Sequence, residues 1–277
     1  WELILVNDNP KQEEMSRLLS SLTAQDSRIR LLTNPKNLGL ARSMNRAAAA
    51  ARGTYLARMD ADDISAPTRL EEELSLLIRE NCGLVCCCFQ TIDDQGKILC
   101  QNSPYYTPRQ LHLLLPYQNI IHHPTVLMKK ELFFQAGGYR PYPCAQDYDL
   151  WLRFLNMKVK MAMHRHPLLF YRIRAKSTTG QRRYLQALTL NYLRKAFREG
   201  QADLPFLPDA YGKYLRLHGY HSPKAQRQFA KATCLLQSSH SRPLPARLWI
   251  YARAALLCEV FRRNFLYQIQ VKRLKRC

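Results

Sequence analysis

At 277 residues and 47% hydrophobic content the chain is long enough for one large domain or two ordinary ones and can bury a sizeable core, which excludes a disordered or fibrous class. Nine cysteines, an odd number without a single Cys-x-x-Cys pair, argue against a disulfide framework or a zinc site and for reduced, buried thiols. The net charge of +21 is unevenly spread: residues 1–149 hold 16 Lys+Arg against 17 Asp+Glu, whereas residues 150–277 hold 26 against 4, which calls for an anionic partner, either nucleic acid or an anionic membrane surface.

Residues 3–6 form a β-rich apolar run stopped by Asn7-Asp8-Asn9-Pro10, all turn formers. Met15, Leu18, Leu19 and Leu22 then share one helical face. A short strand at 29–32 leads into the polar loop Asn34-Pro35-Lys36-Asn37-Leu38-Gly39, an Ala-rich helix spans 40–51 with Gly53 at its cap, and a third strand covers 55–59. Strands alternating with helices predict βαβ units and a parallel sheet. Because Trp1 is followed at once by a strand, the sequence reads as one that lacks its N-terminal start.

A helix is predicted from Pro67 to about residue 80, and an apolar strand with Cys86-Cys87-Cys88 over 83–92. Asp93-Asp94-Gln95-Gly96 is a hairpin signal before a strand at 97–100. A helix at 108–115, a strand at 126–128, the turn Gly137-Gly138-Tyr139, an amphipathic helix at 147–155 and strands at 159–163 and 168–173 follow. Beyond Thr179 the pattern is helical only, over 182–199, 210–217, 223–236 and 245–265. No apolar run reaches the roughly 18 residues of a membrane span, and no signal peptide is visible.

The chemistry concentrates at Asp60-Ala61-Asp62-Asp63, where a strand meets a helix. Should the strand continue through Asp62, its period of two would point Asp60 and Asp62 the same way. Carboxylates that close repel, and a hard divalent cation neutralises them, typically with phosphate oxygens completing its shell. An acidic first turn for the following helix is the competing reading.

Several fragments, in order, resemble the family 2 glycosyltransferases of the GT-A fold. They are Trp1 to Asp8, Asn37-Leu38-Gly39 with Asn45, Gly53-Thr54-Tyr55 running into Asp60-Ala61-Asp62-Asp63, and Pro67-x-Arg69-Leu70. His123-Pro124-Thr125, Gly137-Gly138-Tyr139, Asp147-Tyr148-Asp149-Leu150-Trp151-Leu152-Arg153 and Tyr171-Arg172 complete the set. The resemblance implies an α/β, Rossmann-like and mostly parallel sheet flanked by helices over residues 1–178, followed by a basic, all-helical region over 179–277. It implies an inverting, metal-dependent sugar transfer from a nucleotide-sugar donor, a UDP-sugar first among them, to a glycan or lipid-linked acceptor in cell-surface polysaccharide synthesis.

By the same resemblance, Asp8 contacts the nucleotide base with Asn7 beside it, and Asp62 ligates Mg²⁺ or Mn²⁺ with Asp60 as its helper. Asp147 is the general base, with helix capping as the competing role for Asp147 and Asp149. Gln146 stands where the family has Glu, and Arg174 where it commonly has His; Arg174 cannot ligate a cation but could pair with the diphosphate. His123 is divided between acceptor side and structure, and Arg42 and Asn45 could reach the donor, with surface solvation the favoured role for Arg42. The aromatic and Lys/Arg-rich segment 248–274 suits an interfacial helix on an anionic membrane, at the inner face of the cytoplasmic membrane, or equally a packed helical subdomain. A truncated, inactive relative that binds membrane or another anion is the alternative function, and a nucleotidyltransferase a third; no recognition motif supports nucleic acid as the main partner.

Overall fold

The computed structural model describes residues 1–100, 102–174, 182–237 and 244–263, together with 271 and 274. Contacts divide the chain into two compact units, Trp1–Pro108 with Ile121–Arg172, and Arg109–Ile120 with Ile173–Cys277. In chain order the elements are β1 (Leu3–Asn7), α1 (Glu13–Gln25), β2 (Ile29–Thr33), α2 (Leu40–Ala50), β3 (Tyr55–Ala57), β4 (Ile64–Ser65) and α3 (Arg69–Arg79). They continue with β5 (Leu84–Ile92), β6 (Ile98–Cys100), α4 (Pro108–Leu114), a 3₁₀ turn at His123–Thr125, β7 (Val126–Lys129), α5 (Lys130–Gln135), α6 (Gln146–Asn156) and β8 (Met161–Arg172).

In the first unit, β1 and β2 pair in parallel as a two-stranded sheet, and a larger sheet runs β3-β7-β5-β8-β4 with β6 on β5. Its centre is β5, whose Leu84 to Phe89 are all buried, as a strand covered on both faces requires. It lies parallel to β8, from Leu84 opposite Met161 to Ile92 opposite Arg172. The α/β fold stands, but the mostly parallel sheet gives way to a mixed one: β3–β7, β4–β8, β5–β6 and β5–β7 are antiparallel. Parallel pairing needs a crossover connection, as between β1 and β2 and between β5 and β8, whereas the hairpin at Asp93 and Gly96 reverses the chain directly from β5 into β6. The two strands expected at 159–163 and 168–173 are one strand, β8, because Arg165 and His166 are accommodated as a bulge: Cys87 pairs with His164 and Cys88 already with Pro167.

The three cysteines of β5 are buried free thiols, as are Cys82 and Cys258. Beneath the sheet, Arg69 of α3 is 1% exposed and Glu73, one turn on, 0%. Arg69 donates through Nε to Glu73 Oε2 (3.2 Å) and through Nη2 to the carbonyl of Arg58 (2.9 Å), the latter just past β3. Burial, against the pull of Arg69, pushes the Glu73 carboxyl up to about 7.

The second unit is helical where it is described: α7 (Arg183–Arg198), α8 (Pro208–Leu217), α9 (Pro223–Gln237) and α10 (Leu244–Leu257) follow α4. Tyr192 of α7 meets the rings of Tyr211 and Tyr214 of α8, and Thr189 pairs with the Tyr211 hydroxyl at 2.6 Å. Of the helix expected over 245–265, residues 264 and 265 lie outside the described residues, as does much of the expected interfacial segment beyond them. Among the described residues no helix is long and apolar enough to cross a membrane.

Removing one partner of a buried ion pair strands the other. Arg69→Ala should therefore cost about 3–5 kcal/mol, read as a lower urea midpoint, with Glu73→Gln costing less because a neutral amide can still accept from Arg69.

Candidate active site

Strand β3 ends at Ala57; Arg58 N–H still reaches the Val126 carbonyl (3.0 Å), and the chain then turns, with Asp63 N–H donating to the Asp60 carbonyl (3.3 Å). Asp60 and Asp62 thus sit on a turn and not on a continued strand. The reason is on β8: Arg172 N–H donates to Asp63 Oδ1 (2.8 Å), and its side chain donates through Nε to the Asp62 carbonyl (2.8 Å) and through Nη1 to that of Asp93 (2.6 Å). This pins the loop to the end of the central strands. Asp63 is the buried member of the three, 6% exposed. Burial first, then the fields of Asp60 and Asp62, push its carboxyl up to about 6. Tyr171 next door is raised by burial and by the same three carboxylates.

One residue that the sequence reading passed over organises this loop. Arg58 is buried, pairs through Nη2 with Asp60 Oδ1, and keeps Nε and Nη1 buried without a hydrogen-bond partner, as is Asp63 Oδ2. Orphaned buried polar atoms are rare in folded proteins and ask for a ligand. A cation inside an apolar strand, directly before three carboxylates, was the available signal. The hard carboxylate oxygens, Asp63 Oδ2 among the orphans, fit a Mg²⁺ or Mn²⁺ that takes one or two carboxylates here and phosphate oxygens elsewhere, whereas the orphaned Arg58 N–H groups suit an anion. Among the described residues the turn does not gather three ligand atoms within 4.8 Å.

Asp8, just past β1, spends its carboxylate on the following loop: Oδ1 accepts from Asn34 Nδ2 (2.7 Å) and Leu38 N–H (2.8 Å), and Oδ2 from Gly39 N–H (2.9 Å). Burial works to raise its pKa, but these donors outweigh it and hold the carboxyl below the usual range. Asn34 is itself fully buried, donating also to Ser43 Oγ (2.9 Å) and accepting from Arg46 Nη1 (2.5 Å). Asn7 is buried in an Asx turn, taking Asn9 N–H (3.0 Å) and donating to Ser16 Oγ (3.0 Å). Gly39 adopts φ +79°, which only a glycine takes without strain, so that α2 starts at the residue after it.

Asp147 stands in the first turn of α6, partly exposed, behind Ala145 in a left-handed conformation (φ 57°). Its neighbour Asp149 has a different job. It is 3% exposed and bound by Arg153 Nη2 (2.6 Å) and Arg140 Nη1 (3.2 Å), while Arg153 also donates to the carbonyls of Ala136 and Gly138, the latter at 2.8 Å. That locks α6 to the Gly137-Gly138-Tyr139 turn. Asn45 of α2 clamps the same turn from the other side, donating to the Tyr139 carbonyl and accepting its N–H, both at 2.8 Å, so its amide is committed to structure and not to a donor sugar. The Tyr139 hydroxyl pairs with His123 Nε2 at 2.7 Å. Burial, reinforced by Arg58, keeps His123 neutral, which gives it a structural role. Tyr139 is raised by burial, and it feels both Arg58 and Asp147. Arg174 is exposed and belongs to the second unit.

The family model "Glycosyl transferase family 2" matches residues 1–135. The O-antigen biosynthesis glycosyltransferase WbnJ of Escherichia coli is 30% identical over 181 residues, covering 64% of this chain and 70% of that protein. The chain belongs to glycosyl transferase family 2. This family 2 glycosyltransferase is also 30% identical to the uncharacterized glycosyltransferase MJ1057 of Methanocaldococcus jannaschii and 27% to the amylovoran biosynthesis glycosyltransferase AmsE of Erwinia amylovora. It spans 60% and 58% of their lengths and matches them over 62% and 56% of its own. In fold it is similar to the mannosyltransferase PcManGT of Pyrobaculum calidifontis, solved with GDP-Man and Mn²⁺: the TM-score is 0.56 at 18% identity, over 99% of this chain and 76% of that one. The GT-A fold and glycosyl transfer are thereby established.

The raised Asp63 sets a sign for the metal-free protein. Between its ordinary value of 3.8 and about 6 the unfolded chain has already lost the proton that the folded chain keeps, so stability falls as pH rises through that window. Asp63→Asn, which can still accept from Arg172, should raise the thermal midpoint at pH 8 by an amount worth about 1 kcal/mol. The gain should vanish below pH about 4, where wild type is protonated in both states.

Proposed function

We propose that residues 1–178 of this glycosyltransferase carry an inverting transfer from a nucleoside-diphosphate sugar to a hydroxyl of a glycan or lipid-linked acceptor, in the assembly of cell-surface polysaccharide. The observations that support the reading are the three-acid turn past β3, held by Arg172 and by the Arg58–Asp60 pair, and Asp147 in the first turn of α6 within the same unit. The names of the relatives WbnJ and AmsE, which belong to O-antigen and amylovoran biosynthesis, support the product class.

In this reading the Asp147 carboxylate takes the proton of the acceptor hydroxyl as its oxygen bonds to the anomeric carbon and the bond from that carbon to the diphosphate breaks, with inversion. Ionised Asp147 suits the N-terminal turn of α6, where the helix dipole favours negative charge. Asp62, with Asp60, would hold the Mg²⁺ or Mn²⁺, which when bound offsets the charge developing on the diphosphate. Arg58 holds Asp60 in place. Asp8 and Asn7 serve the donor indirectly, by fixing the Leu38–Gly39 loop and the first turn beyond β1.

A second reading adds to the first: the basic region 179–277 rests on an anionic membrane, at its cytoplasmic face. Trp249 is 60% exposed with the Arg253 guanidinium 4.6 Å from its ring centre, and Leu256 of the same helix is 84% exposed, an apolar and cationic pairing suited to a lipid interface.

Transfer is tested with a panel of UDP- and GDP-sugars, since the Pyrobaculum neighbour carries GDP-Man. Asp147→Asn should lower turnover by about 10²–10⁴-fold while donor binding by calorimetry persists. Asp62→Ala should lower turnover by at least about 10²-fold and weaken donor binding in Mn²⁺ as well. Wild-type rates in both variants would refute the assignment. For the membrane reading, flotation with phosphatidylglycerol vesicles should retain wild type and lose most of a Trp249→Ser, Leu256→Ser protein, whereas equal flotation would remove α10 from the interface.

A further inference from the structure

Away from the carboxylate turn, three side chains face one another across the bulge in β8. Glu72 lies on α3, and His164 and His166 flank Arg165 in the bulge. Their ligand atoms all lie within 4.8 Å of one another, and among the described residues no other three His, Cys, Asp or Glu do so. His164 Nε2 is 3.3 Å from Glu72 Oε2, His166 Nδ1 is 3.9 Å from the same oxygen, and the two rings are 5.2 Å apart. Glu72 is oriented by its own helix, since Thr68 Oγ1 donates to its other oxygen at 2.5 Å, which turns Oε2 to the imidazoles.

The bulge makes this arrangement. In an unbroken ladder each residue of β8 would be matched across β5, but Arg165 and His166 have no partner there, and the backbone contracts so that both imidazoles reach one carboxylate oxygen. Bonds of about 2.0–2.2 Å to a tetrahedral centre place neighbouring ligand atoms about 3.3 Å apart. The His164–Glu72 separation already has that value, and His166, with a side chain 77% exposed, has only about half an ångström to close. Coordination through His164 Nε2 puts the ring proton on Nδ1, so the long contact from His166 N–H to that atom (3.3 Å) would be given up.

The geometry points to a transition-metal site at Glu72, His164 and His166, with Zn²⁺ the ion that suits two imidazoles and one carboxylate. Three protein ligands leave a fourth position for water or an outside ligand. Both histidines line a half-open groove of 390 Å³, together with Leu76, Glu80, Tyr105 and Arg165, so that position has room. The site differs in chemistry from the Asp62 turn, whose oxygens suit Mg²⁺ or Mn²⁺. It is also separated from it: His164 lies eight positions before Arg172 on β8, roughly 20 Å at about 3.3 Å per residue once the bulge is allowed for. A bound ion would tie α3, the helix that follows the carboxylate turn, to β8, the strand whose Arg172 holds it.

The test uses the full chain, stripped with chelator and titrated with ZnCl₂ alone, followed by calorimetry and by metal analysis after dialysis. One Zn²⁺ per chain should bind, raising the thermal midpoint. Loss of an outer-shell partner alone costs about 10–100-fold in metal affinity, so His166→Ala and Glu72→Gln should each weaken binding by at least about 10-fold. Asp62→Ala should leave it intact. His166 is exposed, so its alanine variant should fold and decides the matter even if a His164 variant does not. Wild-type Zn²⁺ affinity in His166→Ala, loss of the ion in Asp62→Ala, or no binding to wild type at 100-fold molar excess would each overturn the assignment.

Discussion

The Gly137-Gly138-Tyr139 turn is the point on which the catalytic unit depends. Three distant parts of the chain are fastened to it: α2 through Asn45, the 3₁₀ turn through His123, and α6 through Arg153 with its buried Asp149. Gly138 has φ +66°, and a Cβ there would lie 2.8 Å from Asn45 Oδ1. Neither the conformation nor the space tolerates a side chain, so the clamp can close only on glycine. With α6 held in this way, Asp147 is carried on a rigid helix start whose neighbouring charge, Asp149, is already neutralised by two arginines. Rigid support of this kind is what a proton-transferring carboxylate requires, because its efficiency falls off within an ångström of misplacement.

The carboxylate turn stands under the opposite regime. Asp60, Asp62 and Asp63 repel one another, and Asp63 relieves the strain by holding its proton to a higher pH. Arg172 and the Arg58–Asp60 pair oppose the repulsion, yet Arg58 leaves two guanidinium nitrogens and Asp63 one oxygen buried without partners. A turn kept closed by its surroundings while its own charges push apart is one whose repulsion a cation would relieve, in line with the proposed function. The buried Arg69–Glu73 pair beneath it belongs to the scaffold, joining α3 to the backbone just past β3.

Much of this was legible in the sequence, for identifiable reasons. The helix α2 followed from an alanine-rich run between two glycines, β5 from an unbroken apolar stretch, and the carboxylate turn from three acids behind a short strand. Local chemistry governs each of these. The mixed sheet was not legible, because strand direction beyond β5 depends on which partner a strand finds and not on its composition. Asn45 offered the same uncertainty in sharper form: an amide on an exposed-looking helix face reads as a donor contact until the fold sets the Tyr139 backbone opposite it.

By itself the sequence determined the α/β class, the family, the ordered acids Asp8, Asp60, Asp62 and Asp147, and the strongly basic balance of residues 150–277. These are properties of spacing and residue type. Tertiary structure alone decided how the acids divide. Asp8 is saturated by loop donors, Asp149 is locked in an ion pair, Asp63 is buried and easily protonated, and Asp62 sits on a turn anchored by a residue more than a hundred positions later. It also drew Glu72, His164 and His166 together through a bulge that no local pattern announces. The physical reason is the same throughout: a carboxylate or an imidazole takes its role from the donors, charges and solvent that the fold places around it, and those neighbours come from far along the chain.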